Sequence, residues 1–370
     1  MGGGIAGVSA AYVLSRAGLR VVLLEANHIG TGETGYTTAF LTSSVDQPLS
    51  LLGEKFGEEH ARRVRQVGEE AITRVEAVTV HEKINCGFHR LDAFLVDLRG
   101  NAVPHVEREA DALLRAGADV HLLSGGDARF PTGAASALVR IRAQAEFDAR
   151  AFLLGLAERA LALGSSIFEN TRMTGLEFGD SVRIRTPEGQ ILARHAVLAT
   201  GLFPDPYRAQ NRLMRQTVTY VSAVERLRPA GGTSHSPFLL WDATTPFHYT
   251  RFLDDLFLVG GEDRSIPEAA AAGTTPWEAL ETFAKTLVPG GTGTATHRWR
   301  GQILETADAL PLVGAPKGGH PRVLLASGFG GNGMTFGTTA GVLVTDLITE
   351  RLKPGDNLFR FGRPTLDSAA

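Results

Sequence analysis

The chain has 370 residues, of which 43% are hydrophobic and 21% are charged, as in ordinary globular proteins. Its formal net charge of −3 gives no electrostatic support for binding nucleic acid. The single cysteine, Cys86, excludes an internal disulfide and a cysteine-rich metal or iron–sulfur site, and the scattered histidines lack metal-ligand spacing. We therefore expect neither a metal nor a nucleic-acid partner.

The sequence gives no sign of membrane insertion or secretion. No apolar run approaches the roughly 18 residues that cross a bilayer, and the N-terminus lacks the pattern of a signal peptide. The length suggests two domains, or one domain with a large insertion. We predict a cytoplasmic protein with no transmembrane segment.

Hydrophobic periodicity predicts a series of helices along the chain. The helix over 147–164 ends at Gly164, a residue type that is common just past helix C-termini. The stretch AAAAG at 269–273 is expected to be a loop. Helices are predicted at 5–18, 48–84 (one long or broken helix), 102–117, 147–164, 276–288 and about 334–351.

Apolar runs bounded by turn residues predict the strands. The run LRVVLL at 19–24 follows the first helix and ends at Glu25. A succession of short strands follows the helix over 147–164. The predicted strands lie in LRVVLL, RLDAFLVDL, DVHLL, SSIFEN, MTGLEF, VRIRT, ILARHAVLATG, TVTYVSAV and LFLVGG, and near 296–304 and 322–327.

The first turn of the chain, GGGIAG, satisfies the pattern G-x-G-x-x-G through Gly2, Gly4 and Gly7. These glycines permit a tight turn, close approach of a pyrophosphate, and packing of the helix on the strand, while the helix N-terminus attracts anions. Glu25 follows Gly7 by 18 residues, where a carboxylate accepts hydrogen bonds from a ribose diol. The combined pattern predicts a dinucleotide site for NAD or FAD, the alternative being a purely structural turn.

Three later segments carry a more specific resemblance: HAVLATG, RGQILETADALPLVG and GGHPRVLLASGFGGNGMTFGTTAGVLVTDLI. With the first turn, they resemble the FAD-dependent oxidoreductases of the D-amino-acid oxidase and glycine oxidase superfamily, whose bacterial dehydrogenase members are often called DadA-like. The segments TGETGYTTAFLTSSVD, NCGFHRLDAFLV, FHYTR and LFLVGGED look closest to a branch that is often fused to a Rieske domain. The resemblance covers nearly the whole chain.

The resemblance implies FAD as a non-covalent cofactor with its pyrophosphate on the first glycine turn. Glu25 would contact the adenosine ribose, Met173 would offer its backbone to the adenine, and Asp308 would help to hold the flavin region together. The helix N-terminus near Gly330 would face the flavin pyrimidine edge, where reduced flavin carries negative charge. The implied FAD site comprises Gly2, Gly4, Gly7, Glu25, Thr34, Gly35, Thr37, Thr38, Met173, Ala199, Thr200, Gly201, Asp308, Gly330, Gly331, Asn332, Gly333 and Met334.

Nucleotide-type patterns at the start, middle and end of the chain enclose β-rich segments. We therefore predict an α/β fold in which a discontinuous Rossmann-like FAD-binding domain carries an inserted α+β substrate domain with a mixed sheet. The predicted FAD-binding domain comprises 1–46, 144–207 and 305–353, the substrate domain comprises 47–143 and 208–304, and 354–370 is a C-terminal tail.

The strand FHYTRF supplies two candidate substrate-binding residues. Alternation places Tyr249 and Arg251 on one face and His248 on the other. Arg251 could pair with a substrate carboxylate and Tyr249 could hydrogen-bond it, whereas a structural salt bridge is the alternative for Arg251. Trp241 and Trp299 are candidate pocket walls, and core packing is the alternative for both.

The stretch QILE at 302–305 departs from the amino-acid oxidases of the superfamily, which often have a carboxylate-binding arginine there. Arg298 and Arg300 lie close by in sequence and are possible substitutes. The departure weakens the case for simple binding of glycine or a D-amino acid at this position.

The sequence as given begins with Met1 where the first strand of the dinucleotide fold should end, and no Rieske segment follows FRFGRPTLDSAA. A start upstream of Met1 and a true truncation are the two explanations for the first feature. The second implies that the electron acceptor is a separate molecule or oxygen.

The function predicted from these features is oxidation of a C–N bond in a small-molecule amine or amino acid by hydride transfer to flavin N5. The alternative is a flavin-binding subunit, or a truncated chain, that is inactive without a partner. An NAD-dependent dehydrogenase is disfavoured by the C-terminal glycine turn, which a pure NAD-binding domain does not need.

Overall fold

The structure is a computed structural model that describes residues 1–124, 135–225, 238–253, 256–288 and 293–367. All six predicted helices are present with shifted ends, and the predicted helix over 48–84 is broken at Gly57. In these residues the α-helices are α1 (Ile5–Arg16), α2 (Leu49–Phe56), α3 (Glu58–His81), α4 (Val103–Arg115), α5 (Ala149–Ala162), α6 (Ile266–Ala271), α7 (Thr275–Leu287), α8 (Gly333–Ile348) and α9 (Pro364–Asp367).

The predicted strands are present, and several are shorter than the apolar runs that predicted them. The strands Phe40–Leu41, Ala137–Glu146 and Leu312–Gly314 were not predicted. In chain order, the strands are β1 (Val22–Leu24), β2 (Phe40–Leu41), β3 (His89–Asp97), β4 (Val120–Ser124), β5 (Ala137–Glu146), β6 (Ser166–Phe168), β7 (Gly175–Phe178), β8 (Val182–Thr186), β9 (Gly189–Ala193), β10 (Ala196–Leu198), β11 (Met214–Glu225), β12 (Phe238–Asp242), β13 (His248–Leu253), β14 (Leu256–Ser265), β15 (Thr294–Thr306), β16 (Leu312–Gly314) and β17 (Val323–Ser327).

The largest sheet of the described residues is mixed and has nine strands in the order β15-β11-β14-β13-β12-β3-β5-β2, with β4 also paired to β5. Only β12 and β3 pair in parallel within it. Its inner face packs on α7 through buried Leu280 and Ala284, which form one hydrophobic core with Val259 and Phe257. This sheet is the predicted mixed sheet, and it forms one wall of the cavity described below.

The nucleotide-type patterns fold into short parallel strands, as predicted. β1 pairs with β6, and β10 pairs with β17, both in parallel. Residues at the start of the chain bridge these two pairs, because the amide of Gly2 donates to Leu24 O at 2.8 Å and the amide of Ala199 donates to Met1 O at 2.9 Å. Among the described strands, none pairs with both β1 and β10.

Small residues bring α1 and α8 into close contact. A Cβ atom at Gly337 would lie 2.6 Å from the Ile5 side chain, and one at Gly341 would lie 2.6 Å from the Ser9 backbone. The close packing directs the N-termini of both helices toward the same cavity. The small residues of α1 therefore allow its close contact with α8.

Two predictions about organisation need correction. The stretch 269–273 is not wholly a loop, since Ala269 lies in α6, where Ser265 and Glu268 form a capping box. The predicted boundaries at 143/144 and 304/305 fall inside β5 and β15. The division into two domains remains a prediction, with boundaries better drawn at the ends of these strands.

Candidate functional site

A cavity of about 1460 Å³ runs from the N-terminus of α1, past the N-terminus of α8, to the face of the mixed sheet. Its volume exceeds the ~300–1,000 Å³ typical of pockets for one small molecule. Both glycine turns and the loop TGETGYTT contribute to its wall. The cavity therefore brings together most of the predicted cofactor residues.

The first glycine turn forms a backbone cradle at one end of the cavity. Gly2 has a φ of +103°, and a Cβ atom there would overlap the Ala199 carbonyl group. Gly2 and Gly4 line the cavity, and α1 has no acidic residue in its first turn. Gly7 does not line the cavity, because it packs against the Gly2 carbonyl oxygen. Gly7 was predicted to contact a pyrophosphate, but in the structure it packs within the turn.

Glu25 lies beside this turn and faces the cavity, as predicted from its position after the second strand. Its Oε2 accepts a hydrogen bond from the Gly3 amide at 2.5 Å, and its Oε1 accepts one from the Asn27 amide at 2.8 Å. These two bonds fix the carboxylate while leaving it accessible to a ligand.

The loop after β1 forms the next part of the wall. The Thr34 hydroxyl accepts a hydrogen bond from the Ile5 amide at 3.0 Å, which ties the loop to the start of α1. Thr34, Thr37 and Thr38 all line the cavity. Gly35 does not, because it faces the carbonyl oxygen of Gly30, and a Cβ atom there would overlap that oxygen.

The C-terminal glycine turn lies at the N-terminus of α8, and the predicted residues there all line the cavity: Gly330, Gly331, Asn332, Gly333 and Met334. Two of their donors already have a partner that the sequence did not reveal. The Gly331 amide and the Asn332 side-chain amide donate to the Asp46 carboxylate at 2.6 and 2.9 Å. Asp46 thus shares the helix N-terminus that was predicted to face the flavin.

The Asp46 carboxyl lines the cavity, whose walls limit its contact with bulk water although the side chain is accessible from the cavity. This burial raises the pKa of Asp46 to about 7, and the nearby carboxylates of Glu305 and Asp263 raise it further, against the hydrogen bonds from the turn. Asp46 therefore changes charge near neutral pH at the N-terminus of α8.

The remaining predicted cofactor residues divide into two groups. Ala199, Thr200 and Gly201 line the cavity, whereas Met173 and Asp308 do not. Met173 packs beside a hydrophobic core before β7. The buried Asp308 instead accepts two hydrogen bonds from the Arg363 guanidinium, each at 2.7 Å, and so anchors the C-terminal segment.

Arg251 does not reach the cavity, which corrects its predicted role as a substrate-binding residue. Its side chain is 4% exposed, and it lies 3.3 Å from the Glu146 carboxylate. Its Nη1 donates to the carbonyl oxygens of Thr38 and Ala39 at 2.6 and 3.3 Å. Arg251 therefore holds the loop that contains Thr38 in place. Its contact with Glu146 agrees with the structural salt bridge that was the alternative for this residue.

Tyr249 does line the cavity, beside the loop that Arg251 braces. Its ring lies across Gly260, where a Cβ atom would overlap the phenol, and meets Phe40 edge-on at 5.4 Å. Burial raises the pKa of the Tyr249 hydroxyl, so that it stays protonated and can donate a hydrogen bond at neutral pH.

Of the two tryptophans that were candidate pocket walls, Trp241 lines the cavity and Trp299 does not. The Trp299 indole instead donates to the Tyr36 carbonyl oxygen at 2.8 Å. Cys86 is buried, and burial raises the pKa of its thiol. Among the residues that the structure describes, no cluster of three His, Cys, Asp or Glu residues could hold a metal ion.

Several cavity residues were not among the predicted site residues, most notably Asp46, Thr219 and Asp263. Asp46 and Asp263 are the last residues of the segments TGETGYTTAFLTSSVD and LFLVGGED. Their position in these segments was the sequence feature from which they could have been predicted as site residues. Thr219 gives no such signal, because only the pairing of β11 with its neighbours brings it to the wall. In the described ranges, no helix is long and apolar enough to cross a membrane.

Comparison with known proteins gives a family that agrees with this geometry. The profile of the family described as "DAO: FAD dependent oxidoreductase" matches residues 1–347. The chain therefore belongs to this family of FAD-dependent oxidoreductases.

Individual relatives agree with the family match. The chain is 28% identical over 363 residues to YhfW of Bacillus subtilis, described as a Rieske 2Fe-2S iron-sulfur protein, with 97% of this chain and 70% of that protein covered. It is 27% identical over 216 residues to the glycine oxidase of Bacillus subtilis, covering 55% of this chain and 54% of that enzyme. The first match agrees with the predicted branch.

A solved structure shows the same fold. Glycine oxidase from Geobacillus kaustophilus superimposes with a TM-score of 0.79 at 20% identity, covering 98% of this chain and 97% of that one. The cavity residues fit the family's cofactor. The glycine cradle leaves no room for a Cβ atom at Gly2, and helix N-termini suited to anions reach the cavity at both Gly4 and Gly333.

Proposed function

We propose that this FAD-dependent oxidoreductase oxidises the carbon–nitrogen bond of a small amine or amino acid. One observation carries the proposal: a single cavity joins the glycine cradle at Gly2 to the Tyr249 wall of the mixed sheet. Bound FAD would supply a hydride acceptor next to the carbon that bears the nitrogen. The neutral amine would lose this hydride to become a protonated imine, which water would hydrolyse to a carbonyl compound and a protonated amine or ammonium ion.

Residues of the α/β part would hold the cofactor. The cradle at Gly2 and Gly4, together with the α1 N-terminus, suits a pyrophosphate, and the fixed carboxylate of Glu25 suits a ribose diol. The start of α8 would face the flavin pyrimidine edge, where its dipole favours negative charge. Asp46, which now accepts two hydrogen bonds at this position, would share those donors with the cofactor.

Residues of the mixed sheet would orient the substrate. Tyr249 offers a protonated hydroxyl, and Trp241 and Phe40 supply apolar surface that excludes water from the reacting carbon. No dedicated protein base is required if the substrate amine enters in its neutral form. The chain's part in the reaction is thus chiefly alignment of the substrate C–H bond with the cofactor.

The test is anaerobic mixing of the FAD-loaded protein with a panel of amines and amino acids, followed by the visible absorbance of the flavin. Loss of the oxidised-flavin bands with at least one compound would support the proposal. Hydrogen peroxide formed after readmission of air would identify oxygen as an acceptor, and its absence would favour a separate acceptor molecule. Fully bound flavin that no compound reduces would contradict the proposal.

The same experiment distinguishes the proposed function from the alternative that was predicted from the sequence. A flavin-binding subunit that needs a partner would retain FAD but would be reduced only after the partner is added. We regard the two-walled cavity as the better support for catalysis by the chain itself, because both the cofactor side and the substrate side are built from its own residues.

A further inference from the structure

The sheet side of the cavity is strongly acidic. Asp263 and Glu305 line it together with Asp46, and the carboxylates of Asp263 and Glu305 both act on Asp46 electrostatically. Glu305 also forms a backbone bridge with Phe329, immediately before the C-terminal glycine turn. The acidic groups therefore face the space between the helix N-terminus and the substrate wall.

Cationic residues on this wall already have acidic partners. Arg215 donates to Glu305 Oε2 at 2.9 Å, and Arg264 donates to Glu262 Oε2 at 2.8 Å. Among the described residues that line the cavity, these two are the only arginines or lysines. A substrate carboxylate would therefore meet no arginine or lysine without an acidic partner and would be repelled by the neighbouring acids.

The buried hydroxyl of Thr219 lies on the same wall of the cavity. Thr219 is 8% exposed and lines the cavity, and its Oγ1 makes no hydrogen bond of acceptable geometry. The hydroxyl lies close to the Asp263 carboxyl and the Tyr249 phenol and lowers the pKa of both groups by its hydrogen-bonding influence. Since buried polar atoms are nearly always hydrogen-bonded, a polar ligand beside Asp263 would complete the hydrogen bonding of this hydroxyl.

A β-bulge directs Asp263 toward the cavity. The pairing of β11 with β14 shifts between Val218, which pairs with Arg264, and Tyr220, which pairs with Gly261, so that Glu262 and Asp263 both lie opposite Thr219. The φ angles of Gly261 and Glu262 are +132° and +55°. Glu262 turns inward, where its Oε1 lies 3.2 Å from the imidazole of buried His248. The next residue, Asp263, then faces the cavity, as bulges near active sites often arrange.

Resting on the proposed function, we propose that the cavity selects a substrate with a second, positively charged amine and no carboxylate, such as a diamine or polyamine. The charged ammonium would lie between Asp263 and Glu305 and donate a hydrogen bond to the Thr219 hydroxyl oxygen. The reacting amine would be the other nitrogen. An organic cation fits better than a metal ion, because no three-ligand metal cluster exists among the described residues.

Three probes of matched length test the charge preference. 1,4-Diaminobutane carries the second ammonium, butylamine lacks it, and 4-aminobutanoate replaces it with a carboxylate. We expect the diamine to reduce the flavin of the anaerobic holoenzyme at least ~10-fold more efficiently than butylamine, and 4-aminobutanoate to be the poorest. Calorimetric titration in the absence of oxygen should give the same order of affinity, independently of turnover.

Two variants identify the charges responsible. Asp263→Asn and Glu305→Gln should each lower the preference for the diamine over butylamine about tenfold, because each removes one anionic partner of the ammonium. Glu188→Gln, on an exposed turn outside the cavity, removes the same charge and should leave the preference unchanged. Retained FAD content and circular dichroism would show that the variants are folded.

The outcomes separate this inference from the proposed function. Faster reduction by glycine or 4-aminobutanoate than by the diamine would leave the proposed function standing and overturn the substrate class. Unchanged preference in both variants would also overturn it. Failure of every amine and amino acid to reduce the bound flavin would overturn the proposed function, and this inference with it.

Discussion

Replacing Arg363 with methionine removes the cationic half of a buried ion pair. The Arg363 and Asp308 side chains are only 2% and 0% exposed. The guanidinium Nε and Nη2 lie 2.7 Å from the two carboxylate oxygens, and Thr365 adds a hydroxyl donor at 2.6 Å. The substitution would therefore leave a buried carboxylate without this partner and the segment after α8 without its anchor.

The structure indicates a large effect. Removing one partner of a buried ion pair typically costs about 3–5 kcal/mol. Arg363 also donates to the carbonyl oxygens of Pro311 and Leu310, each at 2.7 Å, so the buried backbone would lose donors as well. We expect the free energy of unfolding to fall by at least ~3 kcal/mol.

The sign of the pH dependence follows from Asp308. Burial by itself raises the pKa of this carboxyl, but hydrogen bonds and the charge of Arg363 outweigh burial and lower it below its ordinary value. A group with a lowered folded-state pKa contributes its full stability above the unfolded value and loses it as pH falls through the folded value. The difference in the free energy of unfolding between wild type and variant should thus have its full value at neutral pH and become smaller only in acid.

Denaturant unfolding of the FAD-free protein measures the effect. Arg62→Met is the matched control, because Arg62 makes an equally two-pronged contact with Glu59 on the exposed surface of α3. Since water screens this exposed pair, Arg62→Met should lower the free energy of unfolding far less than Arg363→Met. Asp308→Asn combined with Arg363→Met should be less destabilised than Arg363→Met alone, since no unpaired charge remains. Equal small losses at Arg363 and Arg62 would refute the reasoning.

Three further substitutions test the cavity. Asp46→Asn should stabilise the FAD-free protein relative to wild type, and the gain should be larger at pH 8 than at pH 5 by roughly 1–2 kcal/mol after allowance for water in the cavity. The reason is that the raised pKa of Asp46 favours the protonated folded state of the wild type at low pH. Equal thermal shifts at both pH values would contradict this. Gly7→Ala should cost about 1–3 kcal/mol and lower the FAD content, since its Cβ would overlap the turn. The control Gly189→Ala, on exposed β9 outside the cavity and with open space around it, should retain FAD. Gly260→Ala should displace Tyr249 and lower kcat/KM with FAD content unchanged, and unaltered steady-state kinetics would argue against a role for that ring.

The cofactor side could be predicted because its physics is local. A turn, a helix and a strand that are adjacent in sequence place Gly2, Gly4 and Glu25 together, and the distant Ala199 packs against this turn. The turn at Gly330 is also local, but sequence order did not reveal that Asp46 accepts a hydrogen bond from the Gly331 amide. Cavity-lining positions in these segments followed from their motifs, and FAD followed from the family resemblance.

The substrate side could not be predicted to the same extent, because its residues meet through long-range pairing. Thr219 and Asp263 become neighbours only through the bulged register of β11 and β14. Alternation correctly placed Tyr249 and Arg251 on one face of β13, but periodicity does not say what covers that face. The backbone of Thr38 covers it at Arg251, and the cavity opens only at Tyr249.

Arg251 does not line the cavity, but its contacts with the loop around Thr38 still connect it to function. Arg251 on β13 holds the Thr38 carbonyl, Trp299 on β15 holds the Tyr36 carbonyl, and the Gln302 amide on β15 donates to Glu33 at 2.7 Å. These three bonds attach the loop that borders the cofactor to the strands that form the substrate wall. Because catalysis by alignment is sensitive to displacements of about 1 Å, we expect this attachment to control the distance between bound cofactor and substrate. Loss of Arg251 would therefore lower kcat for every substrate, charged or neutral, where loss of a carboxylate-binding arginine would raise KM for carboxylates alone.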